Sequence, residues 1–294
     1  MFTRKVYDNI PKYSDMQFQY KYNIVDKTWD VFEDDGCIAA IDAYADSTFK
    51  DTSGSIDLDM KILDDYKLFQ QRPEYKIIDI QIPSNSEGTL EDLIDTYETL
   101  FAGAVFIRAQ YHKVGCNPDD AWPQIERALE WLRTTDFYKA PASTRFHDAY
   151  VGGLCYHSLN VAERAVQLMS SPAFADSSKL GDAVFCALVH DWCKIDLYEP
   201  YMKNVKNENT GVWEKVAAFR FTGSAVINLG HGVSSMFLIS KFFRLNLEEA
   251  AAIRWHMGAY RTTDTEFNEL QTCNEQFMLV HLLQFADQLS LVSY

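Results

Sequence analysis

Ala187-Leu188-Val189-His190-Asp191-Trp192-Cys193-Lys194 closes an apolar stretch with an adjacent imidazole and carboxylate and, three residues on, an ammonium. Apolar residues at three- and four-residue spacing predict a helix over about 178–194. An adjacent His-Asp pair at a helix end can offer one nitrogen and one oxygen to the same divalent ion. Outward from this string, the same periodicity predicts helices at about 89–113, 117–132, 150–170, 229–243, 246–258 and 275–291. Thr89 is placed to cap the first, and Asn117-Pro118-Asp119-Asp120 to open the second. The pattern breaks between Asn204 and Leu229, where the turn cluster Asn207–Gly211, then Val212-Trp213 and Ala217–Phe221, predict a loop or short hairpin. Irregular segments of this length inside a compact domain often carry function.

Before the turn Ser84–Gly88 the texture differs. Cys37–Ala43, Ser55–Leu63 and Tyr75–Ile82 alternate or cluster apolar and β-branched residues between Asp, Gly and Ser turns, and each is expected as a strand. The fold class expected is therefore mainly α: a helical bundle over about 89–294, preceded by a small α+β or β-rich module over 1–88. The 294 residues, 47% of them hydrophobic, suffice for one large domain or two modest ones. No run approaches the roughly 18 apolar residues of a membrane span, and the N-terminus lacks a signal-peptide core, so a cytoplasmic location is expected. The six cysteines are scattered with no Cys-x-x-Cys pair, which favours free thiols over disulfides or a zinc knuckle.

Net charge is −15, and residues 1–100 hold 21 acids against 10 bases. Gripping RNA or DNA needs clustered Lys and Arg, so an acidic front disfavours a nucleic-acid partner. A small anionic substrate stays compatible, because charge inside a cleft can oppose the global sign.

Four of the seven histidines fall in short motif-like strings, namely Gly152-Gly153-Leu154-Cys155-Tyr156-His157, His190-Asp191 with Lys194, Leu229-Gly230-His231-Gly232, and Arg254-Trp255-His256-Met257-Gly258. A fifth string without histidine, Ala286-Asp287-Gln288-Leu289-Ser290, follows them. In type and order the five resemble the HD superfamily of metal-dependent phosphohydrolases over roughly residues 140–294, and are locally most similar to its bacterial 3′–5′ exoribonucleases. The resemblance implies two divalent transition-metal ions, of Mn, Fe, Co, Ni or Zn type. His157, His190, Asp191 and Asp287 would hold the first, and His231 and His256 the second, with Asp191 bridging. It further implies hydroxide attack on phosphorus, with Asp191 and Lys194 as catalytic residues and Lys194 facing the substrate phosphate. His147, in Arg145-Phe146-His147-Asp148, resembles an exoribonuclease segment in which it would orient substrate or a metal ligand. Arg220 and Lys215, in the irregular segment, are candidates to contact an anionic substrate, while His112 and His281 match no motif and are expected to be structural.

The function expected is hydrolysis of a phosphoester of a nucleotide or similar small anion, with no membrane partner. A 3′–5′ exoribonuclease is the first alternative, since Asp51–Asp57 also resembles a strand-turn of an oligonucleotide-binding barrel. A di-iron oxygenase on the same ligand pattern is the second, and a non-catalytic sensor the third.

Overall fold

The computed structural model describes residues 9–45, 47–83, 88–112, 118–208, 210–222 and 229–292. It begins with an antiparallel meander, β1 (Gln19–Asn23), β2 (Thr28–Glu33), β3 (Gly36–Asp42) and β4 (Phe49–Asp51), in that spatial order. Tyr20, Tyr22, Trp29, Val31, Ala39 and Ile41 are buried at alternate positions, as in a sheet with one face on the core. Helix α1 (Ile56–Phe69) covers that face: Phe69 stacks on Tyr20 at 4.6 Å between ring centroids and meets Trp29 edge-on at 4.7 Å.

Two of the expected strands are corrected here. Ser55–Leu63 is the N-terminal half of α1. Ile56 and Met60 of the alternating run stay exposed, whereas Ile62, Tyr66 and Phe69 form a buried stripe at helical spacing; the period that buries more apolar surface over the longer window prevails. Tyr75–Ile82 lies in a single 3-10 turn (Pro73–Lys76) and irregular chain, its Ile77, Ile78 and Ile80 buried without a ladder. Asp51–Asp57 links β4 to α1, and the four-stranded sheet is an open meander rather than a barrel among the described residues.

The remaining helices are α2 (Leu90–His112), α3 (Trp122–Thr134), α4 (Gly153–Met169), α5 (Leu180–Val189), α6 (His231–Ile239), α7 (Leu247–Trp255), α8 (Asp264–Gln276) and α9 (Met278–Ser290). With nine α-helices and a small N-terminal antiparallel sheet among the described residues, the chain is mainly α. Helix α5 is buried along its whole length and packs against α2, α4 and α9. Helix α8 lies outside the expected set; its signal is the capping box Thr263-x-x-Glu266, in which the Thr263 hydroxyl accepts from Glu266 N and the Glu266 carboxylate accepts from Thr263 N. The segment after Asn204 belongs to a longer hairpin than expected, β5 (Tyr198–Lys206) with β6 (Trp213–Phe221).

One apolar cluster runs from Phe18 through Ala286, joining sheet and helices. Beside it lies Arg72, fully buried, whose guanidinium donates to Glu74 (2.9 Å), Asp119 (2.9 Å) and the Pro11 carbonyl (2.7 Å). Cys116, Asn117, Ser84–Glu87 and Asn209 lie outside the described residues. The five described cysteines are free thiols, and no described helix is long and apolar enough to cross a membrane.

Candidate metal centre

Helix α5 ends one residue before the histidine that matters. His190 is its C-cap, Asp191 leaves helical geometry at φ −104° and ψ 17°, and Trp192–Lys194 form one 3-10 turn. That turn brings Lys194 back so that its Nζ sits 2.6 Å from Asp191 Oδ2. Trp192 anchors it from behind: fully buried, its indole N–H donates to the Tyr97 hydroxyl (3.2 Å), which donates to the Leu188 carbonyl (2.9 Å).

Two glycines set how closely the other segments approach. At Gly153, the first residue of α4, a Cβ would stand 1.9 Å from the Asp148 carbonyl oxygen, so only glycine lets the 142–148 loop close over this helix start. The closure sets His147 against His157, with 4.8 Å between ring centroids and the rings tilted by 36°. At Gly232 a Cβ would stand 2.4 Å from the Ile253 carbonyl oxygen. Its absence lets the start of α6 cross the end of α7, with His231 and His256 at 5.1 Å between centroids.

Asp191, 2% exposed, is the hub of the resulting cluster. Its Oδ2 faces His157 Nε2 at 3.5 Å and His190 Nε2 at 3.4 Å, while its Oδ1 faces His231 Nε2 at 2.7 Å and His256 Nε2 at 3.6 Å. Asp287, on α9, reaches in with Oδ1 3.2 Å from His157 Nε2 and 4.0 Å from His190 Nε2. The ring nitrogens pointing away are held. His190 Nδ1 lies 2.7 Å from the Ala187 carbonyl and His256 Nδ1 2.8 Å from the Ile253 carbonyl, so each Nδ1 carries the proton and each Nε2 keeps a lone pair. Ser290 donates to the Asp287 carbonyl (2.6 Å), leaving its oxygen 3.4 Å from His157 Nδ1 as an acceptor.

The electrostatics agree with the geometry. Burial alone would raise the Asp191 carboxyl, but Lys194, His190 and His231 together hold it well below the usual range. Asp287 is likewise lowered against its burial by His157, His190 and His256. Burial lowers His190, although Asp191 opposes that. His147 falls to about 4 through burial, helped by His157 and Lys194.

All six predicted ligand residues therefore meet in one place, with Lys194 and His147 beside them. Arg220 is not among them: it sits on the hairpin, 61% exposed, paired with Glu199 at 2.7 Å. Lys215 is also on the hairpin and exposed. His112 pairs with buried Asp182 at 2.6 Å, and His281 Nε2 lies 2.8 Å from the Asn274 carbonyl, each remote from this cluster in its contacts. Cys193 is a neighbour of the site that the sequence does not single out. Its sulfur lies 3.3 Å from His231 Nδ1, and burial, then Asp191, push the thiol up to about 12. Adjacency to His190-Asp191 is its only sequence signal.

The donors fit a divalent ion. His157–His190–Asp191, His190–His256–Asp287 and Asp191–Cys193–His231 each bring ligand atoms within 4.8 Å of one another. The His190 and His256 Nε2 atoms are buried with no hydrogen-bond partner of good geometry among the described residues, and such an orphaned imidazole lone pair beside an ionised carboxylate is what a cation would satisfy. Comparison with family models, curated proteins and solved structures finds no match for this chain.

Proposed function

We propose that the chain is a metal-dependent phosphohydrolase of HD type, acting on a phosphoester of a nucleotide or similar anion. The observation that carries this reading is the division of Asp191 between two histidine pairs, Oδ2 toward His157 and His190 and Oδ1 toward His231 and His256. In this reading His157, His190, Asp191 and Asp287 hold one ion, and His231 and His256 share Asp191 with a second. Two such ions would supply a water of lowered pKa and a clamp on the phosphoryl oxygens. The chain's own part follows from its side chains. The Lys194 ammonium is buried against Asp191 and raised by it against its desolvation, so it stays charged and can meet a phosphoryl oxygen at the cluster. His147, neutral near pH 7, offers a buried Nε2 to a substrate hydroxyl or a water. The acidic balance of the front module fits a compact anion better than a ligand spread over that surface.

Elemental analysis of the purified protein, followed by a screen of phosphomonoesters, phosphodiesters and cyclic nucleotides, tests the proposal. Asp191→Ala is expected to lose both ions and all turnover, and His256→Ala mainly one ion. An Asp191→Ala protein with full metal content and activity would overturn it, as would metal-dependent oxygen uptake without phosphate release.

A further inference from the structure

The β5–β6 hairpin departs from the candidate metal centre and pairs with no other strand among the described residues. Strand β5 begins just after Lys194, and Thr222 N donates to the Leu197 carbonyl (3.1 Å), tying the two inner ends together. Leu197 N donates to the Lys194 carbonyl (3.3 Å), which sets Tyr198, the first residue of β5, one turn beyond Lys194. The register is unbroken from Tyr198↔Phe221 to Lys206↔Trp213, so alternate side chains sort cleanly onto two faces.

The two faces differ in chemistry. One carries Glu199, Lys203, Glu214 and Arg220, in which acids and bases balance and Arg220 is already paired with Glu199. The other carries Tyr198, Phe219, Phe221 and Trp213 with Lys206 and Lys215, and has no Asp or Glu at all. Trp213 is 67% and Phe221 62% exposed. On a chain of net charge −15, an acid-free strip of aromatics and lysines is a local inversion. With screening over about 8 Å at physiological salt, charges on the strip itself weigh most in the potential that a ligand lying on it meets.

We propose that this face is a platform for single-stranded nucleic acid, whose bases stack on Tyr198, Phe221, Phe219 and Trp213 while its phosphates meet Lys206 and Lys215. Aromatic rings interleaved with cations along an open strip are what sequence-tolerant single-strand binding requires. The platform's inner end abuts the candidate metal centre, so a strand on it has its end beside Lys194; that placement rests on the phosphohydrolase reading and extends its substrate from one nucleotide to a strand. Two other occupants fit less well. A membrane-inserting hairpin would carry a cluster of apolar side chains at the tip, where this one has Asn207, Glu208, Thr210 and Gly211 beside the single apolar Val212. Pairing edge-to-edge with a second copy along β5 is blunted by Pro200, which has no N–H to give.

The test is fluorescence anisotropy of fluorescein-labelled octauridylate against the full-length protein in EDTA, which reads binding without hydrolysis. Saturable binding is expected, weakening steeply with salt. Trp213→Ala and Phe221→Ala should each weaken it about five-fold or more, and Lys206→Glu with Lys215→Glu about ten-fold or more with a shallower salt slope, while Lys203→Glu on the opposite face leaves it unchanged. Absence of binding, or equal loss from Lys203→Glu, overturns the platform. So does a dimer by light scattering that Trp213→Ala dissociates without oligonucleotide binding, or co-sedimentation with phosphatidylserine vesicles in its place. Metal-dependent hydrolysis of small phosphoesters is measured separately: binding without hydrolysis retires the reaction and keeps the platform, and hydrolysis without binding does the reverse.

Discussion

Replacing Gly232 by alanine should damage the second half of the candidate metal centre more than it damages the fold. A Cβ at this position would stand 2.4 Å from the Ile253 carbonyl oxygen, 2.5 Å from the Arg254 carbonyl oxygen and 2.7 Å from Arg254 Cα. All three are backbone atoms of α7, so no rotamer change relieves the clash. Restoring ordinary contact, from 2.4 to 3.4 Å, requires the start of α6 to retreat by about 1 Å. Overpacking of this kind costs about 1–3 kcal/mol, and the better helix propensity of alanine returns at most about 1 kcal/mol. With that return in full, a net destabilisation of about 0–2 kcal/mol is left, read as a lowered urea midpoint. The same retreat carries His231, the neighbouring residue, away from Asp191 and His256. A displacement of that size costs on the order of a hundred-fold in rate when it misplaces a reacting group, so turnover should fall about a hundred-fold while half the metal is retained. Gly36→Ala, whose Cβ would meet only the Glu33 carbonyl oxygen at 3.7 Å, is the control and should change neither quantity. A Gly232→Ala protein with an unchanged midpoint and full metal content would refute the close crossing of α6 and α7 as the device that places His231.

Lys194→Met should slow phosphoester hydrolysis about a hundred- to a thousand-fold with metal retained, by analogy with removing one donor from a developing anion; the ratio of turnover to bound metal reads it. Arg72→Met should destabilise the protein by about 3–5 kcal/mol in urea unfolding, because it leaves Glu74, fully buried, without its guanidinium. The metal-free protein should lose stability as pH falls from about 6.5 toward about 4, since His147 is lowered to about 4 in the fold and then takes up its proton more readily unfolded. That loss should be smaller in His147→Asn when urea midpoints at pH 7 and pH 5 are compared.

The helical body is legible because its evidence is local. Apolar spacing places α2, α4, α5, α7 and α9 close to their observed spans, and the capping box at Thr263 marks α8 where apolar spacing does not. The strand expected at Ser55–Leu63 fails for the same reason that helices succeed: a short run fits two periods, and only the core that receives Ile62, Tyr66 and Phe69 decides between them. The candidate site divides similarly. The resemblance of five short strings to one family is enough to nominate His157, His190, Asp191, His231, His256 and Asp287, whereas Cys193 and Tyr97 give no periodic or motif signal of their own.

The sequence alone therefore determined a mainly helical chain with an acidic, sheet-bearing front, and a set of imidazoles and carboxylates able to bind a metal, because periodicity, charge and ligand chemistry are properties of neighbouring residues. Only the tertiary structure decided which oxygen of Asp191 faces which histidines, since that depends on how α4, α7 and α9 pack against α5 and how α6 lies across α7 and the Trp192–Lys194 turn, and on glycines at positions 153 and 232 whose missing Cβ atoms permit the close approaches. It likewise decided that the four aromatics and two lysines of the hairpin share one acid-free face. In the linear chain those residues are interleaved with Glu199 and Glu214; an unbroken antiparallel register separates them, because adjacent side chains on a strand point in opposite directions.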